Sequence, residues 1–144
     1  MEWLGTITIV GLVVLAALLW LFIRTRSQDK LTEMMAKRRA SSKIVNRAEY
    51  VEGLERIPVA LALAGDTLYY ENPDLQASFD LVNVEEIEYD SDLSTGHALE
   101  HGRRVLRLRA HGRTFEFLME PADSKQWESL LPQRREGGTA ARAS

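Results

Sequence analysis

The chain opens with a twenty-residue run, Leu4 to Ile23, that carries no ionisable side chain. In hydrocarbon, the backbone of such a run must satisfy its own hydrogen bonds, and a helix does this within one segment. At 1.5 Å rise per residue, twenty helical residues reach about 30 Å, the thickness of a bilayer core. The pattern therefore predicts a transmembrane helix at about 4–23, and the lipid bilayer is the first expected partner.

A cleaved signal peptide is the alternative interpretation of this run. It would need a basic start, a shorter apolar centre and small residues at the cleavage site. Here Glu2 precedes the run, and Leu-Trp-Leu-Phe-Ile closes it. Arg24, Arg26 and Lys30 follow directly, and such basic flanks stay on the cytoplasmic side. We expect a single-pass protein of the plasma (inner) membrane, with its N-terminus outside and its C-terminal domain in the cytoplasm.

The segment 27–47 is polar and strongly basic. It lacks Pro and Gly, and a weak apolar spacing at Leu31, Met34 and Met35 favours a helix that leaves the membrane. From 24 to 47 the chain holds eight Lys or Arg against two Asp or Glu. These charges either contact anionic headgroups or belong to a solvated linker and only fix the topology. The candidate membrane-surface contacts are Arg24, Arg26, Lys30, Lys37, Arg38, Arg39 and Lys43.

Beyond this segment the apolar residues alternate with a period of two, as they do in strands. Six strands are predicted, the last two of them forming a hairpin: 59–63, 67–71, 76–81, 84–90 and the hairpin 103–120. His111 and Gly112 occupy the place of a two-residue turn in that hairpin. The resulting register sets Arg107 opposite Glu116. One face of the hairpin then carries Leu106, Leu108, Phe115, Phe117 and Met119.

A short amphipathic helix is predicted after the hairpin. Pro121 suits its first turn and Asp123 can cap it. Trp127, Leu130 and Leu131 fall at i, i+3 and i+4 and form one apolar stripe. Since so short a helix is not stable alone, we expect its stripe to cover the open sheet.

These patterns divide the chain into four segments. The end of the chain holds Arg-Arg-Glu-Gly-Gly and then small residues, a composition typical of disordered termini. The chain has no cysteine, which excludes disulfides and thiolate metal sites. The predicted segments are an anchor at 1–26, a basic juxtamembrane helix or linker at 27–47, a folded domain at 48–132 and a disordered tail at 133–144.

The folded domain resembles the pleckstrin-homology-like superfamily, including its GRAM and bacterial branches. The resemblance lies in the order of the elements over about 55–132, from the opening hairpin Val-Ala-Leu-Ala-Leu-Ala-Gly-Asp-Thr-Leu-Tyr-Tyr to the closing helix. It implies a mainly β fold, in which a strongly bent antiparallel sheet or partly open barrel is closed by the C-terminal helix. It also implies a module that binds lipids, peptides or proteins, although a fold does not choose among these uses.

We expect a non-catalytic binding or scaffolding module with an unidentified protein partner. The lipid-binding members of the superfamily grip phosphate with basic residues around the first hairpin. Here that turn is Ala64-Gly65-Asp66 and its strands carry no basic side chain, so we do not expect a phosphoinositide pocket. A lipid-sensing domain that bends back to the bilayer is the alternative. The candidate partner surface is acidic and comprises Glu85, Glu86, Glu88 and Asp90.

The sequence also carries partial signals for two other kinds of site, a zinc site and a nucleic-acid surface, and we expect neither. His97, Glu100 and His101 match the H-x-x-E-H spacing of a zinc hydrolase, but glycines bracket the segment and no third ligand is evident. We therefore expect no metal, no cofactor and no catalytic residue. A row of arginines on the last hairpin lacks stacking aromatics, two of its members face carboxylates, and the domain is acidic, so we expect no nucleic-acid binding.

Overall fold

The computed structural model describes residues 2–96, 99 and 102–135, which form one long helix, an antiparallel sheet of seven strands and a short second helix. Helix α1 spans Glu2–Arg39 and helix α2 spans Pro121–Leu130. The strands are β1 (Ile44–Glu52), β2 (Glu55–Ala64), β3 (Thr67–Asn72), β4 (Leu75–Asp80), β5 (Val84–Asp90), β6 (Arg104–Ala110) and β7 (Arg113–Met119). The mainly β layout behind an apolar helix is confirmed. That helix is long and apolar enough to cross a membrane, and its most apolar window is not buried in the protein.

Strand β1 joins the two halves of the sheet. The strand order is β4-β3-β2-β1-β7-β6-β5, and β1 pairs with β2 over its whole length but with β7 only at Glu49–Val51. Residue 48, where the sequence suggested that the domain starts, lies inside this strand. The alternation is hidden in β1 because two of its inward positions hold the polar Asn46 and the small Ala48, next to the charged Arg47 and Glu49.

The inner face of the sheet is filled by aliphatic side chains and one cluster of aromatic rings. Leu106, Leu108 and Phe117 are fully buried, at the positions that the hairpin alternation predicts for the inner face. The rings of Phe79 and Phe115 meet edge to face, with centroids 4.5 Å apart. The aromatic cluster comprises Tyr50, Tyr70, Phe79, Phe115 and Phe117, so it draws on both halves of the sheet.

Helix α2 closes this core through Trp127, which is fully buried. The indole Nε1 donates a hydrogen bond to Asn46 Oδ1 at 3.2 Å, and Asn46 Nδ2 donates to Asp123 Oδ1 at 2.9 Å. Asp123 therefore binds β1 and does not cap its own helix, which begins after Glu120 without a side-chain cap. Leu131, just after the helix, is buried, but Leu130 is 45% exposed, so Trp127 and Leu131 cover the core and Leu130 does not.

The second half of α1 packs against the outer face of the sheet. Leu31 is only 3% exposed, although it is part of neither of the two clusters of buried apolar side chains in the β-domain. On β2, Ala60 and Ala62 point away from the core-facing Leu61 and Leu63, yet both alanines are buried. Because α1 approaches β2, β1 and β3 here, we infer that the alanines form a flat shelf on which the helix lies. The segment 27–39 is thus a docked helix and not a free linker.

Trp127→Ala should lower the free energy of unfolding by about 3 to 5 kcal/mol, since it empties a fully buried site and frees Asn46 from its donor. Trp127→Phe keeps most of the packing and loses the hydrogen bond, so it should cost less. Chemical denaturation measures both. A loss below about 1 kcal/mol for the alanine variant would mean that α2 is not docked as described.

Ala62→Leu should loosen α1 from the sheet, because the larger side chain overfills the shelf at a cost of about 1 to 3 kcal/mol. Trypsin should then cleave the chain faster at Lys37 and its neighbours, which the docked helix protects. Ala36→Leu, on the exposed face of the same helix, is the matched control and should leave cleavage unchanged. Equal cleavage of the two variants would contradict this packing.

Candidate interaction surfaces

The predicted acidic surface on β5 is organised by one arginine of the neighbouring strand. Arg107 lies on β6, between β5 and β7. It stands opposite Glu88 in the pairing with β5 and opposite Glu116 in the pairing with β7. Its guanidinium nitrogens lie 3.2 Å from carboxylate oxygens of Glu88, Asp90 and Glu116. They also donate to the backbone carbonyl of Asp92 at 2.9 Å. Three strands are therefore joined on this face by a single cation.

The carboxylate of Glu116 is the most enclosed member of this network, with 9% of its side chain exposed. It accepts hydrogen bonds from the backbone N–H and the hydroxyl of Ser94, in the loop after β5. The backbone N–H of Ser91, and then Arg107, hold the pKa of Asp90 below its ordinary value. The network thus fixes the start of this loop to the sheet.

The remaining acids of the candidate partner surface are also paired. Arg109 on β6 lies 3.5 Å from Glu85 and 3.6 Å from Glu86, with half of the arginine side chain exposed. The structure therefore brings the predicted acidic residues together, on one strand, but interleaves them with arginines from β6. More than a third of each of Glu85, Glu86 and Asp90 remains exposed, so the surface keeps an accessible acidic rim.

The chain after α2 returns to β5, which the sequence did not indicate. Ile87 and Arg134 exchange two backbone hydrogen bonds, of 2.8 and 2.9 Å, as an isolated antiparallel bridge. Arg134 also donates to the carbonyls of Leu81 and Val84, and Arg135 lies 3.4 Å from Glu88. Residues 133–135 of the predicted disordered tail are therefore seated at the sheet edge, while 136–144 lie outside the described residues.

The basic helical segment divides into docked and exposed charges. Arg38 forms an ion pair with Glu71, donates to it through Nε at 3.1 Å, and stacks 3.9 Å from the ring centroid of Tyr69. Arg24 lies over the ring of Trp20 at 5.3 Å. Arg38 is thus engaged with the sheet and not free for headgroups. The other candidate membrane contacts are exposed: Arg26, Lys30, Lys37, Arg39 and Lys43.

A charged cleft of about 430 Å³ separates α1 from α2 above β1. Arg103 spans it, with Nη1 3.0 Å from Glu49 and Nε 3.7 Å from Glu120. Burial and the neighbouring Glu120 raise the pKa of Asp123 above its ordinary value at the same cleft. Arg103 therefore pairs with two of the acidic side chains at the cleft, and Asp123 accepts its hydrogen bond from Asn46.

The H-x-x-E-H residues, His97, Glu100 and His101, lie outside the described residues. Within the described part of the chain, no group of three or more His, Asp or Glu side chains is placed to hold a metal ion. Comparisons with protein-family models, with curated proteins and with solved structures found no match to this chain.

Arg107→Met should destabilise the domain by about 2 to 3 kcal/mol, because the largely buried carboxylate of Glu116 loses its cation. The double variant Arg107→Met, Glu116→Gln should recover part of that loss, since it removes the stranded charge. Arg109→Met is the matched control on the same strand. Its half-exposed pairs should contribute less than about 1 kcal/mol.

Denaturation of the three variants at neutral pH measures these differences. If Arg107→Met and Arg109→Met cost the same, the network is a set of surface pairs and does not organise the three strands.

Proposed function

We propose that this chain is a single-pass membrane protein whose β-domain is a docking or scaffolding module at the cytoplasmic face of the plasma (inner) membrane. The observation that carries the proposal is the continuity of α1, which runs from the exposed apolar span into the segment docked through Leu31. One element thus serves as the anchor and as part of the domain. Such a domain is held at a fixed height and orientation, which lowers the ordering cost of presenting a surface to a partner.

We also propose that the domain belongs to the pleckstrin-homology-like class. Two features support this assignment. The strand order β4-β3-β2-β1-β7-β6-β5 divides at β1 into halves of four and three strands, and α2 packs Trp127 into the core between them. An antiparallel sheet closed by a C-terminal helix is what the resemblance implies, and it supports the assignment.

A binding role, and not catalysis, suits the way in which the charged groups are used. Arg107, Arg109 and Arg103 are each held between carboxylates, so these groups stiffen the surface. The domain from 48 to 132 holds seventeen Asp or Glu against seven Lys or Arg. A net acidic, rigid surface favours a basic or mixed protein partner through electrostatic steering.

A lipid-sensing domain is the second candidate, and the position of one turn favours it. Pro73 and Asp74, between β3 and β4, line the same crevice as Phe22, Ile23 and Arg26 of α1. This turn therefore lies at the end of the apolar span, at the height where headgroups are expected. The docked domain is closer to the bilayer than a freely hanging one would be.

Site-specific photocrosslinking in native membranes separates the two functions. A photoreactive residue at Glu86 should form discrete protein adducts that weaken as salt screens the acidic rim. One at Asp74 should label lipid, and one at the exposed Lys125 of α2 is the control for random collision. Adducts at Glu86 no stronger than those at Lys125, together with lipid labelling at Asp74 and at Glu86, would favour the lipid-sensing function.

The orientation in the membrane can be tested by cysteine labelling, because the chain has no cysteine of its own. A single cysteine at the exposed Asp92 should resist an impermeant thiol reagent added to intact cells and react after the membrane is opened. Labelling in intact cells would reverse the proposed topology.

A further inference from the structure

The free edge of β5 is the place where the structure shows a segment already bound. Strand β5 ends the sheet order and has β6 as its neighbour on one side only. On its other side, the backbone pairing found among the described residues is the bridge between Ile87 and Arg134. This is strand addition at an open edge, a mode in which extended peptides bind sheets.

We propose that this edge is a receptor for an extended basic segment of a partner protein, and that the chain's own residues 133–135 occupy it as an internal ligand. The inference rests on the proposed docking function and deepens it. Backbone hydrogen bonds to Ile87 hold the segment at the edge. The charges of its side chains decide which segments bind there.

The chemistry of the partner follows from what Arg134 and Arg135 contact. Arg134 donates to two backbone carbonyls, those of Leu81 and Val84, at the two ends of the short turn between β4 and β5. Arg135 faces Glu88, whose other cation is Arg107 of the neighbouring strand. A pair of consecutive basic residues in an extended segment satisfies all of these acceptors.

The internal ligand is a weak one, which leaves it open to exchange. Extending the antiparallel register from Ile87 and Arg134 sets Pro132 opposite Tyr89, and proline has no N–H to donate. Arg135 is 71% exposed in its pair with Glu88, so that pair contributes little. A partner segment without proline at that position can add a second hydrogen-bonded pair.

The adjacent core keeps the edge in place when the internal ligand leaves. Leu131 is buried, and its carbonyl accepts a 2.7 Å hydrogen bond from the hydroxyl of Tyr89. The end of α2 is therefore fixed to β5 independently of residues 133–135. The exchange requires only the short segment after Pro132 to move.

The test uses the full chain in lipid nanodiscs and a labelled ten-residue peptide with the chain's own sequence 130–139, with Thr in place of the proline. The wild-type chain should bind this peptide weakly, because its own tail competes at high effective concentration. The variant Arg134→Ala, Arg135→Ala should bind it at least about tenfold more tightly, which corresponds to about 1.4 kcal/mol. A variant that ends at Leu131 lacks the internal ligand altogether, so it should also bind the peptide more tightly than the wild type.

Two controls act on the peptide and cannot unfold the protein. Methylation of the backbone nitrogen at the position of Arg134 removes the donor to Ile87 and should abolish binding. Replacing both arginines of the peptide by glutamine should do the same. The amide proton of Ile87 gives a direct readout, since its hydrogen exchange should speed up in the arginine variant and slow again with peptide.

Equal affinity of the wild type and both variants, or no binding to any of them, would overturn the proposal. If the peptide does not bind but protein adducts at Glu86 still form in native membranes, the docking function is supported. The partner then does not bind at the β5 edge. If the peptide binds as described and no such adducts form, the edge binds only the chain's own segment and the proposed docking function is wrong.

Discussion

The close packing of α1 on the outer face of β2 is the contact on which the arrangement of this protein depends. A sheet covered on one face by a helix must offer that helix a smooth surface, and Ala60 and Ala62 supply it between the larger core residues. Arg38 then extends the contact to β3 through Glu71 and Tyr69. Because the same helix carries the apolar span, the position of the sheet relative to that span is set by side-chain packing and not by a flexible linker.

The order of the strands explains how the charged residues of the domain are paired. Strands β5, β6 and β7 lie side by side, so the arginines of β6 stand between acidic residues on both neighbours. An arginine flanked in this way can hold a carboxylate as enclosed as that of Glu116, which would otherwise be costly to bury. The edge of β5 is different, since within the described part of the chain no further strand of the sheet lies beyond it. There Arg134 and Arg135, from beyond the domain predicted from the sequence, provide the missing partners.

Local patterns were sufficient to predict the second half of the sheet. The bounds of β5, the turn at His111 and Gly112, and the pairing of Arg107 with Glu116 all follow from residues close in sequence. Burial of Trp127 could be predicted for the same reason, because a short helix with one large apolar residue has few ways to be stable.

The features that sequence reasoning missed depend on contacts between distant segments. Strand β1 has no clear alternation, since Asn46 faces inward to meet Trp127, 81 residues later in the chain. The alanines of β2 look like weak strand residues until α1 is placed over them. The bridge at Ile87 needs the end of α2 to be docked first. In each case the missing information is a tertiary partner and not a local propensity.

The rigidity of the junction between anchor and sheet is the central claim, and a distance measurement tests it most directly. Spin labels at cysteines replacing the exposed Glu33 of α1 and Glu128 of α2, in a chain that has no other cysteine, report on this junction in lipid nanodiscs by pulsed electron spin resonance. A docked helix predicts a single narrow distance distribution. A broad distribution extending over tens of ångströms, as a flexible linker of about twenty residues would produce, would contradict the account.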